Sequence, residues 1–297
     1  MLIRTNVTDI GDPFIVKTDT AYYMYATSFV AEGFKVWKSL DLENWEDLGV
    51  CLDLNDSWTC QDYWAPEVIF HNGNYIMHYS ARRKQDGSLR IGVAVSKDPE
   101  GPFTDAHNGP MFDLGYAAID GHVFIDDDGQ AYLARSNYGA GPIIVHKMSA
   151  DGKQLLDDGV TVYTGPVAEG PKWHKRNGYY YLLIPEGGVC CGWQTVLRSK
   201  NIYGPYEKRV VLEQGSTDVN GPHQGSLVDT PDGSWWFYHF QETPVIGRVV
   251  HLQPARWVDD WPLMGVDIDG NGIGEPVYAW QKPLNRPNDY ALQTTDD

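Results

Sequence analysis

The sequence predicts an all-β fold, specifically a five-bladed β-propeller, from three observations. Short runs rich in Tyr, Val, Ile and Trp are broken by Asn-Gly, Asp-Gly and Pro, and stretches with helical periodicity are scarce. A strand–turn–strand unit recurs five times, beginning at Asp12, Ala65, Asp120, Glu169 and His223, at intervals of 53, 55, 49 and 54 residues. A second motif follows the first four starts, around Ser39, Ser96, Ser149 and Ser199. Two hairpins per period of about 50 residues make a four-stranded blade, and blades repeated radially make a propeller.

The copies can be taken in order. DPFIVKTDTAYYMYA turns at Thr18-Asp19-Thr20, and APEVIFHNGNYIMHYS at Asn72-Gly73. DGHVFIDDDGQAYLA turns at Asp128-Gly129, EGPKWHKRNGYYYLLI at Asn177-Gly178, and HQGSLVDTPDGSWWFYHF at Asp232-Gly233. Asn-Gly and Asp-Gly accept the positive φ angles that two-residue hairpins require. The second motif of the fifth copy has diverged to HLQPARWVDDWP. Residues 1–260 therefore read as one propeller domain, and 261–297 as a Gly/Asp-rich segment and polar tail closing onto it. In that segment Asp267, Asp269 and Asn271 alternate as in a calcium loop, but Tyr278 stands where the loop's bidentate Glu belongs. A structural turn is expected there, and a surface course for the tail from Lys282.

Composition narrows the partners. The chain has 297 residues, 42% of them hydrophobic, enough to bury a sizeable core. Forty acidic against 23 basic residues leave a net charge of −17, which argues against nucleic acid or an anionic membrane and suits a neutral ligand such as a sugar. No apolar run is long enough to span a bilayer. The start, MLIRTNVTDIGDPF, lacks the apolar core of a secretion signal. The expected location is the cytoplasm, or outside the cell after loss of a leader. Cys51, Cys60, Cys190 and Cys191 lack zinc-ligand spacing. Adjacent cysteines rarely bridge, because ordinary disulfide geometry is strained across them, so free and largely buried thiols are expected.

The repeat also points to a site. The innermost strand of each propeller blade begins near the central axis, so residues at those starts converge however far apart they lie in sequence. Asp12, Asp120, Glu169 and His223 would meet there, and such a cluster is costly because like charges and desolvation oppose ionisation. An Asp before Pro or Gly is often only a turn residue, but the common register of the three acids favours a catalytic or metal-binding cluster. Trp64, just before the second start, and Trp193, in the loop GGVCCGWQ, are candidate sugar-stacking walls. Trp235, Trp236 and Trp257 are expected between blades. Arg248, in IGRVV, is a candidate clamp for a sugar diol or a carboxylate.

At these residues the sequence resembles glycoside hydrolase family 43, which groups β-xylosidases, α-L-arabinofuranosidases and arabinanases. The matching motifs are the early Asp-Pro at Asp12, Trp-Ala-Pro-Glu from Trp64 to Glu67, Ile-Asp-Gly-x-x-Phe from Ile119 to Phe124, Glu-Gly-Pro at Glu169, and His-Gln-Gly at His223. The resemblance implies an inverting hydrolase with Asp12 as general base, Glu169 as general acid and Asp120 as the residue that orients and modulates Glu169. It places His223 at the axis floor, near the innermost sugar or a calcium ion held through water, and makes Arg248 the sugar clamp. No cofactor is required, and calcium at the axis is structural. The C-terminal half looks closest to xylosidase and arabinofuranosidase members. Many of those continue into a β-sandwich that shapes the pocket, for which this chain has no room.

An exo-acting enzyme releasing a terminal pentose from plant-type xylo- or arabino-oligosaccharides is the leading expectation. An endo-arabinanase of the same family is the alternative, separated by the shape of the groove. A non-catalytic glycan-binding propeller would repeat its binding residues in every blade, whereas the five starts here differ.

Overall fold

The computed structural model describes residues 4–28, 32–139, 141–219, 221–244 and 246–278. Every element among them is a strand. The chain opens with β1 (Arg4–Thr8) and then lays down five antiparallel sheets in succession. Blade 1 comprises β2 (Ile10–Lys17), β3 (Tyr22–Ser28), β4 (Gly33–Ser39) and β5 (Glu46–Asp53). Blade 2 comprises β6 (Thr59–His71), β7 (Asn74–Arg83), β8 (Leu89–Ser96) and the short β9 (Thr104–Asp105). Blade 3 is β10 (Ala118–Ile125), β11 (Ala131–Asn137), β12 (Ile143–Met148) and β13 (Val160–Tyr163). Blade 4 is β14 (Lys172–Arg176), β15 (Tyr179–Glu186), β16 (Trp193–Ser199) and β17 (Glu207–Leu212). Blade 5 contains β18 (His223–Asp229), β19 (Trp235–Thr243) and β20 (Gly247–Val258).

The fifth sheet is completed from both ends of the chain. β1 pairs with β20 through Arg4↔His251 and Thr8↔Val249, so the first strand becomes part of the last blade. β21 (Trp261–Met264) pairs with the other end of β20. This closes the ring through backbone hydrogen bonds and leaves no free seam between first and last blades. Val266 and Glu275 then bridge beyond it, and the intervening loop spends its acids on itself. Asp267 accepts the Gly272 N–H, and Asp269 that of Asn271. These bonds close the loop as a turn. The tail from Lys282 lies outside the described residues.

Apolar clusters fill the gaps between neighbouring blades. Met24, Trp37 and Trp45 of the first meet Trp236, Tyr238 and Phe240 of the fifth, and Tyr181 of the fourth meets Phe237, with Trp235 and Trp257 packed alongside. The tryptophans expected between blades are found there. The cysteines differ from expectation. Cys190 and Cys191 are joined to one another in the exposed loop after β15, Cys60 is exposed, and only Cys51 is a buried thiol, pushed up to about 12 by burial.

A second correction concerns the repeat register. The inner strands of blades 1, 2, 3 and 5 each carry a bulge, between Gly11 and Phe14, Trp64 and Glu67, Ile119 and His122, and His223 and Ser226. Each bulge holds one non-glycine residue at positive φ: Asp12 (53°), Ala65 (43°), Asp120 (57°) and Gln224 (23°). In blade 4 the residue in that conformation is Gly170 (φ 52°). Glu169 and His223 therefore sit one residue earlier than Asp12 and Asp120, in the register of Gly11, Trp64 and Ile119. The bulge brings two successive positions of the inner strand to the mouth of the axis. Two residues beyond lies an inner ring: Phe14, Glu67, His122, Lys172 and Ser226.

Candidate active site

Asp12 is held from two sides. Thr27, opposite on β3, donates its hydroxyl to Asp12 Oδ2 at 2.5 Å, and Thr27 Oγ1 in turn accepts the Ala65 N–H at 2.8 Å. One hydroxyl thus joins the first two blades and orients the acid. Arg248 Nη1 lies 3.4 Å from Asp12 Oδ2, and its guanidinium sits 4.5 Å from the centre of the Phe240 ring. That position depends on Gly11. A Cβ there would lie 2.4 Å from Arg248 Nη1, so any side chain displaces the arginine.

Asp120 is enclosed. Its Oδ2 accepts the Gly170 N–H at 3.0 Å and the Ser136 hydroxyl at 3.2 Å, while its own N–H donates to Ser80 Oγ at 2.9 Å. Burial, with the charges of Glu169 and Asp12, raises its carboxyl to about 7. Because Gly170 follows Glu169 directly, the bond to Gly170 fixes the backbone from which Glu169 projects. A Cβ on Gly170 would come within 2.5 Å of the Gln224 side chain, so close packing favours glycine there, although the other blades carry side chains at similar φ. Glu169 Oε1 meets His223 Nε2 at 3.1 Å. Glu169 keeps a fifth of its side chain exposed to the cavity, whereas His223 is buried.

The cavity holds about 560 Å³, within the usual range for small-ligand sites. Asp12, Asp120, Glu169, His223, Arg248 and Trp64 all line it, as the sequence indicated. Trp193 does not. Its indole N–H turns to Glu186 Oε2 at 3.3 Å, and its ring packs over Gly187. Glu186 is fully buried and also receives Tyr163, Thr195 and Lys208, a network that pins the Gly-rich loop from beneath. The Trp193 expectation failed because a loop position does not reveal which way the indole faces.

The wall instead uses residues that sequence reasoning passed over. Tyr138 packs beside Trp64, ring centres 6.0 Å apart, and Arg82 pairs with Asp62 while lying 5.9 Å from the Tyr138 ring. Asp62 and Tyr138 line the cavity. Thr27, Ser80 and Ser136 were missed as well. They share one signal, a hydroxyl near the end of each second strand in YYMYATS, YIMHYS and AYLARS.

Among the described residues, those on the axis do not by themselves build the cage of six to eight oxygen ligands that calcium takes. No group of three or more His, Cys, Asp or Glu side chains suited to a metal occurs among the described residues. His223 Nδ1 is buried with no hydrogen-bond partner, but a lone imidazole nitrogen is a poor donor for so hard a cation.

A closed propeller with one asymmetric set of acids at the mouth of its axis defines a single acidic pocket rather than a binding surface repeated in every blade. The chain belongs to the glycosyl hydrolases family 43, whose model matches residues 6–262. It is 53% identical, over 97% of its length, to a Xylanibacter ruminicola protein named "Putative beta-xylosidase". It is 32% identical, again over 97% of its length, to a "Beta-xylosidase" of Formosa agariphila. The chain spans 55% of the length of each of these relatives. Among solved structures, a thermostable family-43 glycoside hydrolase superposes with a TM-score of 0.85 at 30% identity, covering 96% of this chain and 98% of that one.

Proposed function

We propose that this propeller is the catalytic part of an inverting, exo-acting glycosidase that releases a terminal pentose, xylose or arabinofuranose, from plant-type oligosaccharides. The observation that carries the reading is the placement of two differently held acids on one cavity. Asp12 comes from blade 1 and Glu169 from blade 4, with the enclosed Asp120 of blade 3 fixing the second. Inversion needs a base and an acid about 6.5–9.5 Å apart with a water between them, and two blades that are not neighbours around the axis suit that spacing.

In this reading Asp12 takes a proton from water as the water attacks the anomeric carbon. Thr27 and Arg248 hold its carboxylate by donating to Oδ2, which leaves Oδ1 for the water. Glu169 protonates the departing glycosidic oxygen. With His223 Nε2–H donating to Oε1, the acid's proton resides on Oε2. Asp120 acts through the Gly170 N–H and by its charge, so it is a positioning residue. Trp64 and Tyr138 offer the flat faces on which a sugar ring stacks, and Arg248 offers paired donors to its hydroxyls. The names of the two relatives favour xylose.

The test is hydrolysis of an aryl β-xyloside, an aryl α-arabinofuranoside and linear arabinan by the wild-type chain and by Glu169→Ala. Activity on one of the two aryl glycosides is expected, and Glu169→Ala should lower turnover of a natural xylo-oligosaccharide by about 10²–10⁴-fold. Inactivity on both aryl glycosides would refute the substrate. Cleavage of arabinan alone would make the chain an endo-arabinanase.

A further inference from the structure

The inner ring beneath the acids contains a group that the hydrolytic scheme does not use. Lys172, on β14 of blade 4, is buried, and its Nζ lies 2.6 Å from Oε1 of Glu67 on β6 of blade 2. The pair spans the axis. The ammonium also lies 5.9 Å from the centre of the Phe14 ring of blade 1. His122 of blade 3 completes the ring, with its Nδ1 3.5 Å from Glu67 Oε2 and its imidazole edge-on to Phe14 at 5.3 Å. Ser226 of blade 5 accepts the Ile15 N–H of blade 1. Every blade thus contributes to one layer, and Lys172 is its cation.

The neighbouring groups fix the charge of that layer. His122 Nδ1 accepts the Trp173 N–H at 2.8 Å, so its proton is on Nε2, and burial beside Lys172 holds its affinity for a second proton well below the ordinary value. His78 on β7 is pushed down to about 4 by burial and is likewise neutral. Facing Lys172 are therefore Glu67 in its own layer and Asp120 in the layer above, while the charge of Asp12 bears on both of those acids. Burial, with the charges of Asp120 and Asp12, lifts Glu67 to about 8 against the pull of Lys172. Lys172 in turn favours ionised Asp120. Without this ammonium, the layers would bury several carboxylates with no compensating charge, an arrangement that proteins avoid by protonating or by binding a cation.

We infer that the Lys172 ammonium, seated on Glu67, is the built-in cation of the axis: it takes the place of a calcium ion and holds the acids above it in their working charge state. The inference about the acids rests on the hydrolase reading, whereas the inference about calcium does not. Lys172 touches no reacting atom in this scheme and is a positioning residue.

Calcium titration calorimetry of the EDTA-treated wild-type chain tests the first half, independently of any substrate. No saturable heat is expected, and melting temperatures in EDTA and in calcium chloride should agree. Saturable binding of one calcium ion that His223→Ala abolishes would overturn the inference. The second half is read from the pH profile of kcat/KM on whichever aryl glycoside the wild type cleaves. Removing the ammonium leaves Asp120 protonated to higher pH, and because the acids titrate as a unit the acid limb should move upward by about one pH unit. Lys172→Met strands Glu67, so the double variant Lys172→Met/Glu67→Leu is measured beside it, since replacing a whole buried pair costs little stability. An acid limb unmoved in a folded double variant would refute the electrostatic role.

Discussion

Replacing Asp120 by Asn should make the protein more stable at neutral pH and a poorer catalyst. The amide oxygen of Asn can keep both bonds that Oδ2 now accepts, from Gly170 at 3.0 Å and Ser136 at 3.2 Å, so the change removes charge more than structure. That charge is unfavourable in the fold. Burial, then Glu169 and Asp12, lift the carboxyl to about 7 from an ordinary 3.8. A group that binds its proton more tightly when folded contributes stability at pH below the unfolded value, and loses it as pH rises to the folded one. For Asp120 the loss runs from about pH 4 to about pH 7. A tenfold change in proton affinity is worth about 1.4 kcal/mol, so this interval sets a ceiling of about 4 kcal/mol. Relaxation of the site reduces that, and about 1–3 kcal/mol is expected, or roughly 2–6 °C in melting temperature. The assay is thermal melting of wild type and Asp120→Asn at pH 4 and pH 8, with kcat/KM measured at the working pH. Asp120→Asn should melt higher at pH 8, with the advantage gone at pH 4, and kcat/KM should fall at least tenfold. Equal destabilisation at both pH values would refute the reasoning, because it would mean that Asp120 contributes hydrogen bonds and no charge strain.

Three further outcomes follow from the same geometry. Gly11→Ala alters no functional group, yet its Cβ would lie 2.4 Å from Arg248 Nη1, so it should reproduce the rise in KM of Arg248→Ala; steady-state kinetics on both variants check this. Thr27→Val keeps the volume but leaves the Ala65 N–H and Asp12 without their shared hydroxyl, and urea denaturation should show a loss of about 1–3 kcal/mol. Trp64→Ala should raise KM several-fold with little change in melting temperature, whereas Trp193→Ala, which uncovers Glu186 and Gly187, should lower the melting temperature first; the reverse pattern would put Trp193 back in the pocket.

The propeller, its five blades and the three acids were legible in the sequence because a blade is a local object. Its strands alternate, its turns declare themselves by Asn-Gly and Asp-Gly, and five copies in one order leave a single way to converge at an axis. Even so, Glu169 and His223 stand one residue ahead of Asp12 and Asp120. Backbone φ decides that offset, and the letters Asp-Pro, Asp-Gly and Glu-Gly-Pro do not record it. What only the tertiary structure decided are the pairings between blades. The seam that β1 makes with β20, the Thr27 hydroxyl shared with Ala65, and the buried Lys172–Glu67 pair join residues 247, 38 and 105 positions apart (Arg4 to His251 for the seam). No local pattern encodes such a contact, because its energy comes from what the other blade brings to the axis. Trp193 shows the same limit in reverse: its loop was recognisable, but the side of the loop its indole takes was set by Glu186, buried on the neighbouring strand.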